Sequence, residues 1–179
     1  MLLKSLDGCL LKIGSFPAFH YNAYGGGGKG TLLQSKNNNT LTLNFSSKTF
    51  SIPPLNSQTT NFLSLPLPPG LQIDMSMDKL EGTIDQNSGA ILLEFNSKFV
   101  LSILGIFHFP PLLVETILTT GKIKGNLHQG TGLVLQKNGI TKLVGLAIIP
   151  QTGNKVLDIF LDLPNEALAE LNCEIKSSN

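Results

Sequence analysis

The sequence predicts an all-β domain, or a β domain with a short C-terminal helix. It should fold as an antiparallel sandwich or partly closed barrel of about eight to ten strands. Three observations carry this expectation. Segments such as Leu71-Gln72-Ile73-Asp74-Met75-Ser76-Met77-Asp78 alternate apolar and polar residues, the two-residue period of a half-buried strand. Glycine, proline and asparagine clusters punctuate these segments at short spacing. The chain is also 41% hydrophobic and only 14% charged, so it has ample material for a core and does not resemble a disordered chain.

From the N-terminus, residues 1–16 hold one or two short strands. The run Tyr24-Gly25-Gly26-Gly27-Gly28-Lys29-Gly30 reads as a flexible loop over 24–30, because consecutive glycines lose much backbone entropy on ordering. Thr31 to Gln34 is a strand, and Ser35 to Asn39 a polar turn. Leu41, Leu43 and Phe45 alternate with polar neighbours in the next strand, and Phe50 and Ile52 continue the pattern until Pro53-Pro54 stops it. Residues 53–70 contain five prolines and read as a long connection or edge segment.

The strand Leu71–Asp78 follows, and then a hairpin from Leu80–Ile84 to Ala90–Phe95 through the turn Asp85–Gly89. Residues 79–92 align without gaps on 122–135 in the pattern K-φ-x-G-x-φ-x-Q-x-[S/T]-G-x-φ-L, where φ is apolar. This suggests either two equivalent hairpins or the shared look of any two glycine-turn hairpins. Asn138-Gly139 signals a type I′ turn. The apolar run Leu143–Ile149 fits a strand covered on both faces, ended by Pro150. Val156–Leu161 reads as a further strand. A helix is expected over 164–176, with Asp162 as cap, Pro164 in the first turn, and Leu168, Leu171 and Ile175 on one face.

Composition narrows the function classes. The 179 residues suit one domain, with 13 lysines, no arginine, 12 acids and a formal net charge of +1. Without arginine, which supplies the bidentate contacts to phosphate and guanine, nucleic-acid binding is not expected. Cys9 and Cys173 form no C-x-x-C pair and read as two buried thiols, although one bridge between them is conceivable. Met1–Cys9 lacks the apolar run of a signal peptide and Asp7 interrupts it, which makes the cytoplasm the expected location.

Reactive motifs are sparse. Gly25–Gly30 contains G-x-G-x-x-G, but no helix pattern follows it, and Lys29 precedes glycine and not serine or threonine, so neither a dinucleotide site nor a phosphate-binding loop is expected. His20, His108 and His128 lack metal-ligand spacing, and no G-x-S-x-G elbow occurs. Asp74 and Asp78 share a strand face at about 13 Å, from roughly 3.3 Å per residue, too far apart for a glycosidase pair. No catalytic residue, metal or cofactor is assigned. An enzyme of unfamiliar type would draw its acid or base from Glu115, His108 or His128.

The most distinctive segment is Phe99–Val114, which carries no charged residue. It is too short to span a bilayer, and Pro110-Pro111 breaks it. Its structural reading is a central strand, a turn and a second buried element, such as a short helix to Thr119. Its functional reading is an apolar lip that meets a lipid-like molecule or an apolar partner, with Ile106, Phe107, His108, Phe109 and Leu112 as contact residues. The expected function is therefore non-enzymatic binding of an apolar small molecule or partner surface, with peripheral membrane contact allowed and no integral span. The alternative is a structural protein assembling through a sheet edge or an oligomer interface.

Overall fold

A computed structural model describes residues 1–34 and 39–177. Apart from Asn39, the turn expected at 35–39 lies outside the described residues. Along the chain come β1 (Leu2–Ser5), β2 (Cys9–Ile13), β3 (Phe19–Tyr21), β4 (Gly27–Gln34), β5 (Thr40–Phe45), β6 (Thr60–Phe62), β7 (Leu65–Pro66) and β8 (Leu71–Asp85). They are followed by β9 (Ile91–Ile103), β10 (Phe107–His108), β11 (Leu112–Thr119), β12 (Lys122–Lys124), β13 (Gln129–Thr131), β14 (Ile140–Ile149), helix α1 (Lys155–Leu161) and β15 (Asn165–Lys176).

Eight strands close an uneven antiparallel ring in the order β1-β4-β5-β8-β9-β11-β14-β15, with β15 returning to β1. The fold is all-β. One edge of β15 follows β14 from Asn165 to Glu174. Its other edge divides, taking β2 at Ala167–Glu170 and β1 at Cys173–Lys176. From that division β2, β3, β6 and β7 continue as a side sheet. The ring is thinnest between β11 and β14, where the ladder holds the one pair Thr119–Val144 and the Thr116 hydroxyl donates to Leu146 O at 2.6 Å.

The alternation read in Leu71–Asp78 belongs to a longer strand. A bulge between Met77 and Lys79 shifts the register of β8 on β9. One extra residue reverses which parity faces inward: Met77 is buried before the bulge, and Leu80 and Ile84 after it. Inside the ring Leu3, Leu43, Ile91, Leu93, Leu143 and Cys173 are fully buried and pack with Phe45, Leu118 and Ile175. Leu71, Ile73 and Met75 pack against Cys9 and Tyr21 of the side sheet and against Leu55 and Leu67 of the proline-rich stretch. Ala147, Ile149 and Leu163 pack with Ile13, Leu112, Val114, Leu161 and Ala167.

Several local expectations are corrected. Residues 165–176 form a strand, not the expected helix. Ala167, Ala169, Leu171, Cys173 and Ile175 alternate with Glu166, Glu170, Asn172 and Glu174, and pairing on both edges outweighs helical spacing. The helix stands instead at Lys155–Leu161, where a strand was expected. Asn154 Oδ1 accepts the N–H groups of Val156 and Leu157, and Asp162 ends the helix in the left-handed region at φ 53°. Residues 112–119 are a strand and not a short helix.

The glycine run is also mostly strand and not loop. Gly27 has φ +118°, and a methyl group there would collide with Leu3 O, so only glycine lets β1 approach so closely. Asn138-Gly139 closes a three-residue loop with only Gly139 at positive φ, in which Gly139 N–H donates to Gln136 O and Gln136 N–H to Ile140 O. The aligned segments are not equivalent. The first forms the β8–β9 hairpin with its turn at 86–89, and the second turns at 125–128 into the separate two-stranded sheet β12–β13. The proline-rich stretch 53–70 contains β6 and β7, and buries Leu55 and Leu67.

Candidate functional site

The uncharged segment divides into an inner and an outer part. β9 carries Phe99–Ile103 to the end of a long arm, and the chain turns through Leu104, Gly105 and Ile106 into β10. Phe107 pairs with Ile103 and His108 with Ser102. Ile106 N–H donates to Ile103 O, Phe109 N–H to Leu101 O, and Leu104 N–H to Gly70 O at 2.7 Å. The turn backbone is thus tied down while its side chains face outward. Leu104 is 65% exposed, Ile106 72% and Phe107 64%. Leu104 and Gly105 both take positive φ, 55° and 65°, an uncommon conformation for a leucine.

Of the five expected contact residues, Ile106, Phe107 and His108 are exposed on this turn, and Phe109 is half-buried. Leu112 points the other way, into the cluster of Ile149 and Leu163. Pro110-Pro111 marks this change of direction. The lip is therefore shorter than the uncharged run and centred on Leu104–Phe107.

The acid–base candidates are not brought together. Glu115 is exposed on β11 opposite Asn96, His108 stands on β10, and His128 lies in the turn before β13. His20 is exposed on β3. Cys9 and Cys173 are both buried and unbridged. Burial pushes their thiols up to about 11 and about 12, well away from the reactive thiolate range.

Two features of the surface had no counterpart in the sequence reading. On α1, Val156, Ile159 and Phe160 expose 70%, 80% and 62% of their surface, while Leu157 is buried and Phe160 touches Phe16 with ring centroids 5.4 Å apart. These three exposed residues follow the i, i+3, i+4 spacing of a helix face, and over so short a segment the apolar run also fits a strand. The second feature is the seating of the hairpin expected within 122–135: its strands form the separate β12–β13 sheet, which lies over β14 and β15. Its turn is gripped by Glu166, whose carboxylate accepts the N–H groups of Asn126, Leu127 and His128 at 2.7, 3.0 and 2.7 Å. Burial raises the proton affinity of this carboxyl, but the three donors outweigh it and hold the group below its ordinary value. Gly125 is required there, because a methyl group would strike the carboxylate. Beside the hairpin lies a polar cleft of about 550 Å³, lined by Lys122, Ile123, Lys124, Gln129, Gly130, Thr131 and Glu170.

Fold and surface define a class: an antiparallel β-ring protein with a side sheet, a filled interior and an outward apolar turn. The chain matches no family model, no curated protein and no solved structure. No helix among the described residues is long and apolar enough to cross a membrane.

Proposed function

We propose that the protein is a non-enzymatic binding protein that engages lipid-like apolar matter at its surface, through the turn Leu104–Phe107. One observation carries this reading: three large apolar side chains stand mostly in water on a turn whose backbone is fixed by hydrogen bonds. Leaving such groups exposed forgoes about 1.5–3 kcal/mol per side chain relative to full burial, and contiguous exposed apolar groups mark contact sites. Contact at the surface is favoured over a ligand inside the ring, because buried leucines and isoleucines from seven ring strands occupy the interior. A neutral lipid-like phase suits the site, since 16 consecutive residues from Phe99 to Val114 bring no charge to it. Assembly through a sheet edge has less support. Closure removes the edges of the ring, and the exposed edge strand β7 contains Pro66 and is followed by Pro68 and Pro69.

Flotation with neutral phosphatidylcholine vesicles tests this. The wild type should float with the vesicles, and the pair Ile106→Asp and Phe107→Asp should remain in the soluble fraction with an unchanged melting temperature. Equal partitioning of both proteins would refute the reading.

A further inference from the structure

Resting on the reading of Leu104–Phe107 as a lipid contact, we infer that the cleft beside this turn takes the uncharged, hydroxyl-rich headgroup of a glycolipid. The cleft measures about 280 Å³ and is lined by Asn56, Ser57, Gln58, Gln72 and Ser102, together with Gly105 of the turn itself. This is just below the range of about 300–1,000 Å³ for small-molecule pockets, which suits a headgroup and not a whole lipid.

Strand register explains why polar side chains gather beside an oily turn. Leu71 lies opposite Ile103, and Ile103 opposite Phe107. One residue along, Gln72 lies opposite Ser102, and Ser102 opposite His108. Opposed residues share a face of the sheet, and successive residues alternate between faces. The tip of β8, β9 and β10 therefore has an apolar row on one face and a polar row on the other. The turn is also fixed against the cleft wall. Leu104 N–H donates to Gly70 O at 2.7 Å, and a side chain at Gly70 would collide with Leu104 Cδ2. Gly70 lines the cleft, so acyl chains held at the turn leave their headgroup beside it.

The lining selects the chemistry. None of the described residues that line the cleft is charged. A phosphate would find no cation there, and beside the lining stands Asp74, whose carboxylate accepts Gln72 Nε2 at 2.8 Å. An ammonium group would find no acid in the lining. Amides and hydroxyls both donate and accept hydrogen bonds, as the hydroxyls of a sugar do. Ser102 points to a ligand independently. It is only 3% exposed, yet its hydroxyl donates to Gln72 O at a long 3.5 Å. A buried hydroxyl so weakly bonded is uncommon, and a sugar hydroxyl in the cleft would complete its bonding.

Flotation tests the assignment by comparing phosphatidylcholine vesicles with the same vesicles carrying glucosyl diacylglycerol. The wild type should bind the second at least about fivefold more tightly. Gln58→Ala with Gln72→Ala should lose this preference, yet still float with phosphatidylcholine at an unchanged melting temperature. Ser76→Ala, on the same face of β8 outside the cleft, should keep it. A second arm titrates water-soluble methyl glucoside and follows the side-chain amide resonances of Gln58 and Gln72. Ile106→Asp with Phe107→Asp should respond there as the wild type does, while failing to float. Equal binding to the two vesicles overturns the glycolipid assignment and leaves the lipid contact at the turn standing. A saturable methyl glucoside response in that case assigns the cleft to a free sugar. Flotation with neither vesicle refutes the contact at the turn, and the assignment to a lipid falls with it. A loss of preference as large in Ser76→Ala also overturns the inference.

Discussion

Glu166 and His128 lie 38 residues apart in the chain, and the carboxylate of the first accepts the backbone N–H of the second at 2.7 Å. With the parallel bonds to Asn126 and Leu127, this makes one buried acid the clamp that seats a separate two-stranded sheet on the ring.

Glu166→Gln should therefore destabilise the protein by about 1.5–3 kcal/mol, the range for hydrogen bonds to a charged group. Denaturant titration measures the total, and amide exchange should show the loss at residues 125–131 first. The pH dependence follows from the same clamp. Folded Glu166 sits below the ordinary 4.5, so its contribution is present above that pH and is lost as pH falls through the lower folded value. Asp158, bonded by Thr152, and Asp85, bonded by Ser88, are likewise lowered from 3.8 and act in the same direction. Stability should fall steadily below about pH 4.5, and less steeply in Glu166→Gln.

Gly27→Ala should be costly. The position combines φ +118° with contact against Leu3 O and Lys4 Cα, so both backbone strain and a steric clash oppose a side chain. A loss of about 2 kcal/mol or more is expected, against a lesser loss for Gly25→Ala, where φ of +90° still strains a side chain but no atom lies close enough to clash with it. Thermal melts of the two variants check the contrast.

The two thiols should resist labelling in the native state. Cys9 and Cys173 are buried, and burial has raised both well above neutral pH. A disulfide reagent at pH 8 should react slowly with folded protein and with two equivalents of thiol after denaturation. Fast native reaction would contradict the burial of both thiols and the contact in which the Cys9 thiol donates to Leu6 O at 3.3 Å.

Thr116→Val addresses the thin part of the ring. It removes the 2.6 Å bond to Leu146 O while keeping the side-chain shape, at an expected cost of about 1 kcal/mol. Amide exchange should accelerate along residues 144–149 ahead of β8 and β9.

Much of the ring was legible because its strands carry their pattern locally. Leu43 and Phe45 are buried as the alternation indicated, and the inward face of β8 follows it up to the bulge. The exchange of helix and strand near the C-terminus had a different cause. Leu168, Leu171 and Ile175 satisfy a helical spacing, and Ala167, Ala169, Leu171, Cys173 and Ile175 satisfy a strand period just as well. Only pairing with β14, β1 and β2 decides between them, and that information is non-local. Val156–Leu161 was ambiguous over six residues, and the Asn154 cap that resolves it reads as a turn residue in isolation. The exposed turn Leu104–Phe107 lies within the uncharged run, but nothing in that run says that the chain turns inward after Pro111 and carries Leu112 to Ile149 and Leu163. The Glu166 clamp was invisible, since it joins a turn and a strand that no periodicity connects.

The position of β15 bears on how the chain is made. It touches β14 along one side and both β2 and β1 along the other, yet every other described strand precedes it in the chain and leaves the ribosome first. Until it emerges, three nascent strands have bare hydrogen-bonding edges and an unsealed oily interior. Folding of the ring must wait until β15 has emerged, and the chain that still lacks it is the form that a chaperone would meet.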